Sequence, residues 1–409
     1  MGYLGELRAN WRPMLGAVLG LATGYSLSSY IVSMMAPHML KEFGWTPAEF
    51  AYVSTLGLIS VVMLPIVGRL TDMIGVRRTA MIGVIVLPMI FLALSFQNGD
   101  LRVYMALFLV QASLCITTTM TVYSRVVVQY IEKARGLALA LVASGPPLVG
   151  LAGVHILEQF VADHGWRAGY QALAAFTLAC GIIALLMIRE KKSTAAEAAA
   201  KPKRRALEDY PTIIAMPAFW VLLFALLLVN LPNTIVLFNL ALLMKANGMT
   251  DSLAATMLQA FFIGQLAGRL ISGLALDRFP SHLVATFSML LPSAGLWMIA
   301  SSMDTTPVLA VSVLLIGLAF GAEGDIIGYL VVRNFGVGIY SSVMGLMTAA
   351  TSISTNIGGI ALGLTLDLTG NYDLFMMISG ATVFVGSLLF LLLPLANRKA
   401  PQPALASAE

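Results

Sequence analysis

Charge is what this chain has least of. Of its 409 residues only 11% are Asp, Glu, Lys or Arg, whereas 59% are hydrophobic. Soluble domains carry about 25% charged residues, so a water-soluble globule is excluded and a chain embedded in a lipid bilayer is expected. Cysteine is scarce as well. Cys115 and Cys180 both fall in apolar runs, without disulfide or metal spacing, and are expected to be reduced core residues. The short alternating segments of a transmembrane barrel are missing, which excludes that architecture. The phosphate loop G-x-x-x-x-G-K-[ST] is missing too, so this chain alone is not expected to draw on ATP. No nucleophile–base arrangement or metal cluster stands in the apolar runs. An enzyme is therefore not expected, and neither is a cofactor, a metal or a nucleic-acid partner.

What is present is a succession of apolar runs of about 20 residues, each long enough to cross a hydrocarbon core about 30 Å thick as a helix. Twelve are expected, near 13–37, 52–70, 79–97, 103–130, 136–158, 168–188, 216–244, 252–275, 282–302, 307–332, 341–366 and 373–396. The stretch from Met14 lacks a small-residue cleavage site and is expected to remain as the first helix. With the amino terminus inside, the inner loops hold Arg69, Arg77, Arg78, Lys133, Arg135, Arg278, Arg398 and Lys399, and seven more basic residues lie between Arg189 and Arg205. The outer loops hold Lys41, Arg102, Arg167 and Lys245. The positive-inside rule then places both termini in the cytoplasm of a cell (inner or plasma) membrane.

The one long polar stretch, Arg189 to Tyr210, is rich in Ala, Lys and Arg and divides the spans six and six. The expected units are an N-terminal six-helix bundle (1–188), a basic cytoplasmic linker (189–211), a C-terminal six-helix bundle (212–397) and a tail (398–409). The halves echo each other. Gly68-x-x-x-Asp72 recurs as Gly273-x-x-x-Asp277, and the turn beginning at Gly165 has a counterpart at Gly370, both 205 residues on. Such repeats mark secondary transporters, whose site lies between the repeats near mid-membrane.

The segment Gly68-Arg-Leu-Thr-Asp72-Met-Ile-Gly75-Val-Arg77-Arg78 resembles the hallmark loop of the major facilitator superfamily. Its glycines let helices approach, and Asp72, Arg77 and Arg78 supply breakable ion pairs, so these residues with Gly273 and Asp277 are candidates for conformational gating. Four further segments are Glu42-Phe43-Gly44-Trp45-Thr46, Arg135-Gly136-Leu-Ala-Leu-Ala140, Gly165-Trp166-Arg167 and Gly321-Ala322-Glu323-Gly324-Asp325. They are similar to the bacterial branch of the monocarboxylate transporter family, near the oxalate–formate exchangers. The resemblance implies the major facilitator fold: all-α, twelve transmembrane helices in two pseudo-symmetric bundles. It also implies that Arg269, followed by Gly273, recognises a substrate carboxylate, and that Thr121 and Tyr123 line the site. Gln265 and Ser29 stand where animal members carry an aspartate and a lysine, so the proton-handling residues of those relatives do not transfer.

Physics singles out Arg269 independently. An arginine at the centre of a spanning helix costs about 2.5–3.5 kcal/mol on insertion scales, and its guanidinium fork suits a carboxylate. Its other candidate partners are Glu323 and Asp325. At 100° per residue those two side chains point about 160° apart, so one cavity wall cannot hold both. Both are candidates for proton coupling; Asp325 alternatively pairs with Arg333, on a similar face of the helix. Asn230, Asn233 and Asn356 fall near mid-span and are candidate substrate contacts or interhelical hydrogen-bonders. Tyr123 lies nearly opposite the polar face of Thr117, Thr121, Ser124 and Arg125, which sets the helical wheel against the resemblance. Gly16, Gly20 and Gly24 are expected to pack helices.

The expected activity is secondary transport of a small organic anion by alternating access, as proton-coupled symport of a monocarboxylate driven by a proton gradient. The expected partners are the small carboxylate, the proton and the lipid bilayer, with the chain acting as a monomer. Carboxylate exchange and export of a hydrophobic compound are the rivals within the fold. A ligand-binding membrane sensor without transport is the rival of another class.

Overall fold

The computed structural model describes residues 3–131, 135–188, 206–301, 305–336 and 339–398. Every regular element among them is helical, as expected where lipid offers no partner to backbone N–H and C=O groups. Eleven helices are long and apolar enough to span: α1 (Trp11–Phe43), α2 (Pro47–Thr71), α3 (Val76–Ser95), α4 (Leu101–Val127), α5 (Leu137–His164), α6 (Trp166–Met187), α8 (Asp251–Leu276), α9 (Ser281–Ile299), α10 (Thr306–Phe335), α11 (Ser342–Thr369) and α12 (Asp373–Ala396). The seventh expected span is present as two shorter pieces, α7a (Pro217–Val229) and α7b (Ile235–Ala246). The break falls on Asn230-Leu231-Pro232-Asn233, where proline removes a backbone donor and α7b begins with a π turn over Ile235–Asn239. Of the expected linker, 189–205 lie outside the described residues, as do 399–409 of the expected tail. From Ala206 to Ala215 the chain is helical.

The repeat read from the sequence appears in the backbone. Gly165 and Gly370 end α5 and α11 with φ of 84° and 72°, a left-handed geometry that only glycine adopts without strain. Other breaks inside the spans are mutually satisfied. The α1 helix is interrupted at Thr23–Gly24, and the N–H that this frees at Tyr25 donates to Thr118 Oγ1 (2.9 Å), itself at an interruption in α4. Gly16, Gly20 and Gly24 pack against α6, the Tyr123 ring and Thr118 respectively, the helix-packing role expected of them.

The buried apolar residues form three clusters with a telling distribution. One cluster draws on both halves, from Tyr30, Met35 and Phe91 to Phe261, Leu243 and Phe375. It fills the end of the molecule remote from the termini, here called the far end. At the terminus-bearing end the halves have separate cores, one around Val122, Val126 and Ala138 and the other around Leu222, Ile326 and Met347. The two bundles are thus joined at the far end and parted at the other.

Candidate functional site

Glycine determines how the site is assembled. Gly264 and Gly268 of α8 lie against the α10 backbone at Leu314 and Leu318, and Gly317 and Gly321 of α10 lie against the α8 backbone at Phe261 and Gln265. Without Cβ atoms between them the two helices cross backbone to backbone. On α10, Gly317 and Gly321 make this contact, while Gly324 faces open space.

The crossing brings Arg269 to Asp325, with Nε 4.0 Å from Oδ2. The arginine side chain is 16% exposed and the aspartate 35%, so the pair is not fully buried. Among the described residues, no hydrogen bond engages the two terminal guanidinium nitrogens of Arg269. That half of the fork is therefore positioned for a second anion. Arg333, the alternative partner expected for Asp325, instead donates to Ser281 Oγ at 3.1 Å. The expectation of an Asp325–Arg333 pair is corrected by the close α8–α10 crossing, which puts Arg269 nearer than the wheel of α10 alone could show.

Glu323 points away from this pair, as its angular separation from Asp325 required. Its Oε1 accepts from Asn230 Nδ2 (2.8 Å), and Asn230 Oδ1 accepts from Asn233 Nδ2 (2.6 Å). Asn230 is fully buried. Both asparagines are thus engaged inside the C-terminal bundle, with Asn230 making the interhelical hydrogen bond that was the alternative to substrate contact. Asn356 donates to Ser352 O (2.7 Å), while its buried Oδ1 has no partner among the described residues and faces Gly57 of the other half. Gln265 is a second residue of this kind: one turn before Arg269 and 7% exposed, it leaves Oε1 without a partner.

In the fourth span Thr121 and Tyr123 point to different surroundings, as the helical wheel requires. Thr121 is exposed. Tyr123 is completely buried against Gly20, inside the N-terminal bundle. Of the gating candidates, Gly68 and Gly273 have no atom near the position a Cβ would take, so neither is in a helix contact in this state. Arg77 and Arg78 are exposed, Gly75 links α2 to α3 with φ 90°, and the side chains of Asp72 and Asp277 lie outside the described residues.

The contacts that hold the far end shut were not anticipated. Tyr30 of α1 meets Phe262 of α8 edge to face (4.9 Å between centroids), and Phe108 meets Phe238 at 5.8 Å. Tyr52 Oη donates to Asp367 Oδ2 (2.9 Å), the Ala241 N–H donates to Ser33 Oγ (3.2 Å), and Gln259 Nε2 donates to Leu151 O (3.1 Å). Each pair joins one half to the other, and no sequence signal couples residues more than 100 positions apart.

A helical protein of two pseudo-repeated bundles, joined at one end and parted at the other, is the architecture of an alternating-access carrier. The family profile of the Major Facilitator Superfamily matches residues 18–258 and again 222–408, and the chain belongs to that superfamily. It is a membrane transporter of a small molecule and not an enzyme. It is 26% identical over 391 residues to rat monocarboxylate transporter 13, covering 90% of this chain and 88% of that protein. With rat monocarboxylate transporter 4 it shares 24% identity, covering 93% and 82%. It is also 28% identical to the agnestins efflux protein AgnL12 of Paecilomyces divaricatus, covering 80% and 73%. These relatives make it monocarboxylate-transporter-like. Among solved structures, a D-xylose-proton symporter superposes with a TM-score of 0.71 at 13% identity, covering 95% of this chain and 97% of that one. A point mutant of the nucleoside transporter NupG gives 0.74 at 13%, covering 93% and 99%. Both show the shared fold.

Proposed function

We propose that this chain is a proton-coupled symporter of a small monocarboxylate, working as a monomer in the cell membrane with both termini in the cytoplasm. The carrying observation is Arg269, inside the spanning helix α8 with Asp325 of α10 at 4.0 Å and its terminal nitrogens free of hydrogen bonds among the described residues. In the absence of substrate, Asp325 serves as a counter-ion. An entering carboxylate takes the guanidinium fork, and a proton bound at Glu323 or Asp325 lets acid and proton move together without net charge. The names borne by its relatives, two of them monocarboxylate transporters, support the substrate class. With the termini inside, the far end is the outer one and the structure is the inward-facing state. Substrate and proton each bias the exchange between inward and outward states, and their coupling is reciprocal.

The test is uptake of a panel of labelled monocarboxylates into proteoliposomes, with and without an inward proton gradient, for the wild type and Arg269→Lys. Gradient-driven accumulation that falls at least about tenfold in Arg269→Lys, equivalent to about 1.4 kcal/mol of lost binding, supports the reading. Unchanged uptake and affinity in the variant would overturn the role of Arg269. Uptake only into vesicles preloaded with acid would replace symport by exchange.

A further inference from the structure

Glu323 is tethered to the seventh span at its break into α7a and α7b. Asn230 occupies the C-terminal end of α7a, and its orientation is fixed by the backbone: Nδ2 donates to Leu226 O (3.0 Å), which can only accept. The same nitrogen donates to Glu323, so both amide hydrogens are committed and Oδ1 must face Asn233. A cavity of about 20 Å³ adjoins the group, room for about one water molecule. Its only polar side chains are Asn233 and Glu323; the rest of the lining, including Pro232, Met289 and Pro292, is apolar.

On the other side of the break, α7b carries contacts to the opposite bundle. Thr234 Oγ1 lies 3.4 Å from Ser54 Oγ, Phe238 packs on Phe108, and the Ala241 N–H reaches Ser33. The neighbouring elements bring few charges. The α9 helix presents Met289 and Pro292. The α8 helix brings Arg269, which is paired with Asp325 of α10, and the Asp367 acid of α11 is bound to Tyr52 at the far end. Glu323 is therefore answered by amides and not by a cation.

We propose that Asn230 and Asn233 are positioning residues for Glu323, and that they tie its protonation to the bend of α7 and thereby to the far-end gate. This rests on the reading of Glu323 as a proton site. A charged carboxylate draws the Asn230 amide and holds the break in its present geometry. A neutral acid holds it less tightly, which frees α7b to swing with its contacts to Ser54, Phe108 and Ser33.

The experiment is infrared titration of carboxyl bands in the purified full chain, comparing wild type, Glu323→Gln, Asn230→Ala and Asn233→Ala. The band missing from Glu323→Gln belongs to Glu323. Its midpoint is expected to move by about one pH unit in Asn230→Ala and by less in Asn233→Ala. Spin labels at Asn98 and Asn371, on far-end loops of the two halves, are expected to show a pH-dependent separation that both asparagine variants weaken. A Glu323 band that appears but keeps its midpoint in both variants would overturn the positioning role and leave the proton site standing. If Glu323→Gln removes no titrating band, the proton-site reading falls and the inference falls with it. Asn230→Ala strips a buried donor from two acceptors; should it fail to fold, Asn233→Ala decides alone, because Asn233 touches neither Leu226 nor Glu323.

Discussion

The two ends of this molecule use the same residue type for opposite purposes. At the far end, three glycines are filled by the other half, Gly150 by the Phe262 ring, Gly359 by Ser54 and Gly363 by the Tyr52 ring, although Gly153 faces open space. At the terminus-bearing end, Gly68, Gly273 and Gly345 face open space. The hydrophobic cores follow the same division, with one core shared between the bundles at the far end and two separate cores at the other. A glycine that lets helices approach is useful only while they do approach. On the proposed alternating-access reading, the empty set marks surfaces that meet when the molecule changes state, and the filled set marks those that then part.

The largest effect is expected from filling the occupied set. Gly150→Leu and Gly363→Leu push a side chain into a ring of the opposite half. Overpacking of this kind costs about 1–3 kcal/mol, or roughly 5- to 150-fold in the ratio of far-end-closed to far-end-open molecules. Spin labels at Asn98 and Asn371 should report a wider separation in either variant. A distance distribution identical to that of the wild type would mean that these contacts do not hold the gate.

Filling the empty set sharpens the comparison. Gly68→Val and Gly273→Val meet nothing in this state, so the thermal midpoint of the purified protein should stay within about 2 °C of the wild type, the range of a surface substitution. Carboxylate uptake should nevertheless fall about tenfold, because the added methyl groups resist closure worth about 1.4 kcal/mol at the terminus-bearing end. Full uptake in both variants would show that these glycines never enter a helix contact.

A smaller effect is expected from the cross-half hydrogen bond. Tyr52→Phe removes the donor to Asp367 and keeps the ring that covers Gly363. The bond is exposed to solvent, so the closed-to-open ratio should fall only about two- to threefold. A shift as large as that of Gly363→Leu would assign the latch to the hydrogen bond and not to ring packing.

The division between the ends also explains what could be read from the sequence. Span positions follow from the length of apolar runs, which hydropathy measures directly, and the Gly165–Gly370 repeat needs only a fixed spacing. The seventh span was expected as one helix because its hydropathy runs on through Asn230-Leu231-Pro232-Asn233; a break satisfied by a glutamate 93 residues away leaves no local trace. Arg269 stood out because a charge in the bilayer is costly wherever it points. Its partner was narrowed to Glu323 or Asp325, and the Gly264/Gly268 and Gly317/Gly321 crossing, which no single helical wheel shows, decides for Asp325. The burial of Tyr123 and the exposure of Thr121 follow the wheel, because the direction of a side chain is a local property and the fourth span keeps it. The state of the gate is not encoded locally at all. Two packings of one chain that differ by a few kcal/mol share every residue.

The smallest effect should come from a far-end contact that lies within one half. Arg167 bonds Glu42 at 2.6 Å and Gln97 O at 3.0 Å, and its guanidinium lies 4.3 Å from the centroid of the Trp166 ring. All of these partners belong to the N-terminal bundle, so they move together and do not change when the bundles rock. The ion pair is about 40% exposed on both sides, where such pairs contribute little, and an exposed cation–π contact adds a modest amount. Arg167→Ala should therefore lower the thermal midpoint by about 1–3 °C and leave the Asn98–Asn371 distance untouched. If it instead opened the far end as Gly150→Leu is expected to, the bundles could not be moving as rigid units, and the contrast between joined and parted ends would need to be redrawn helix by helix.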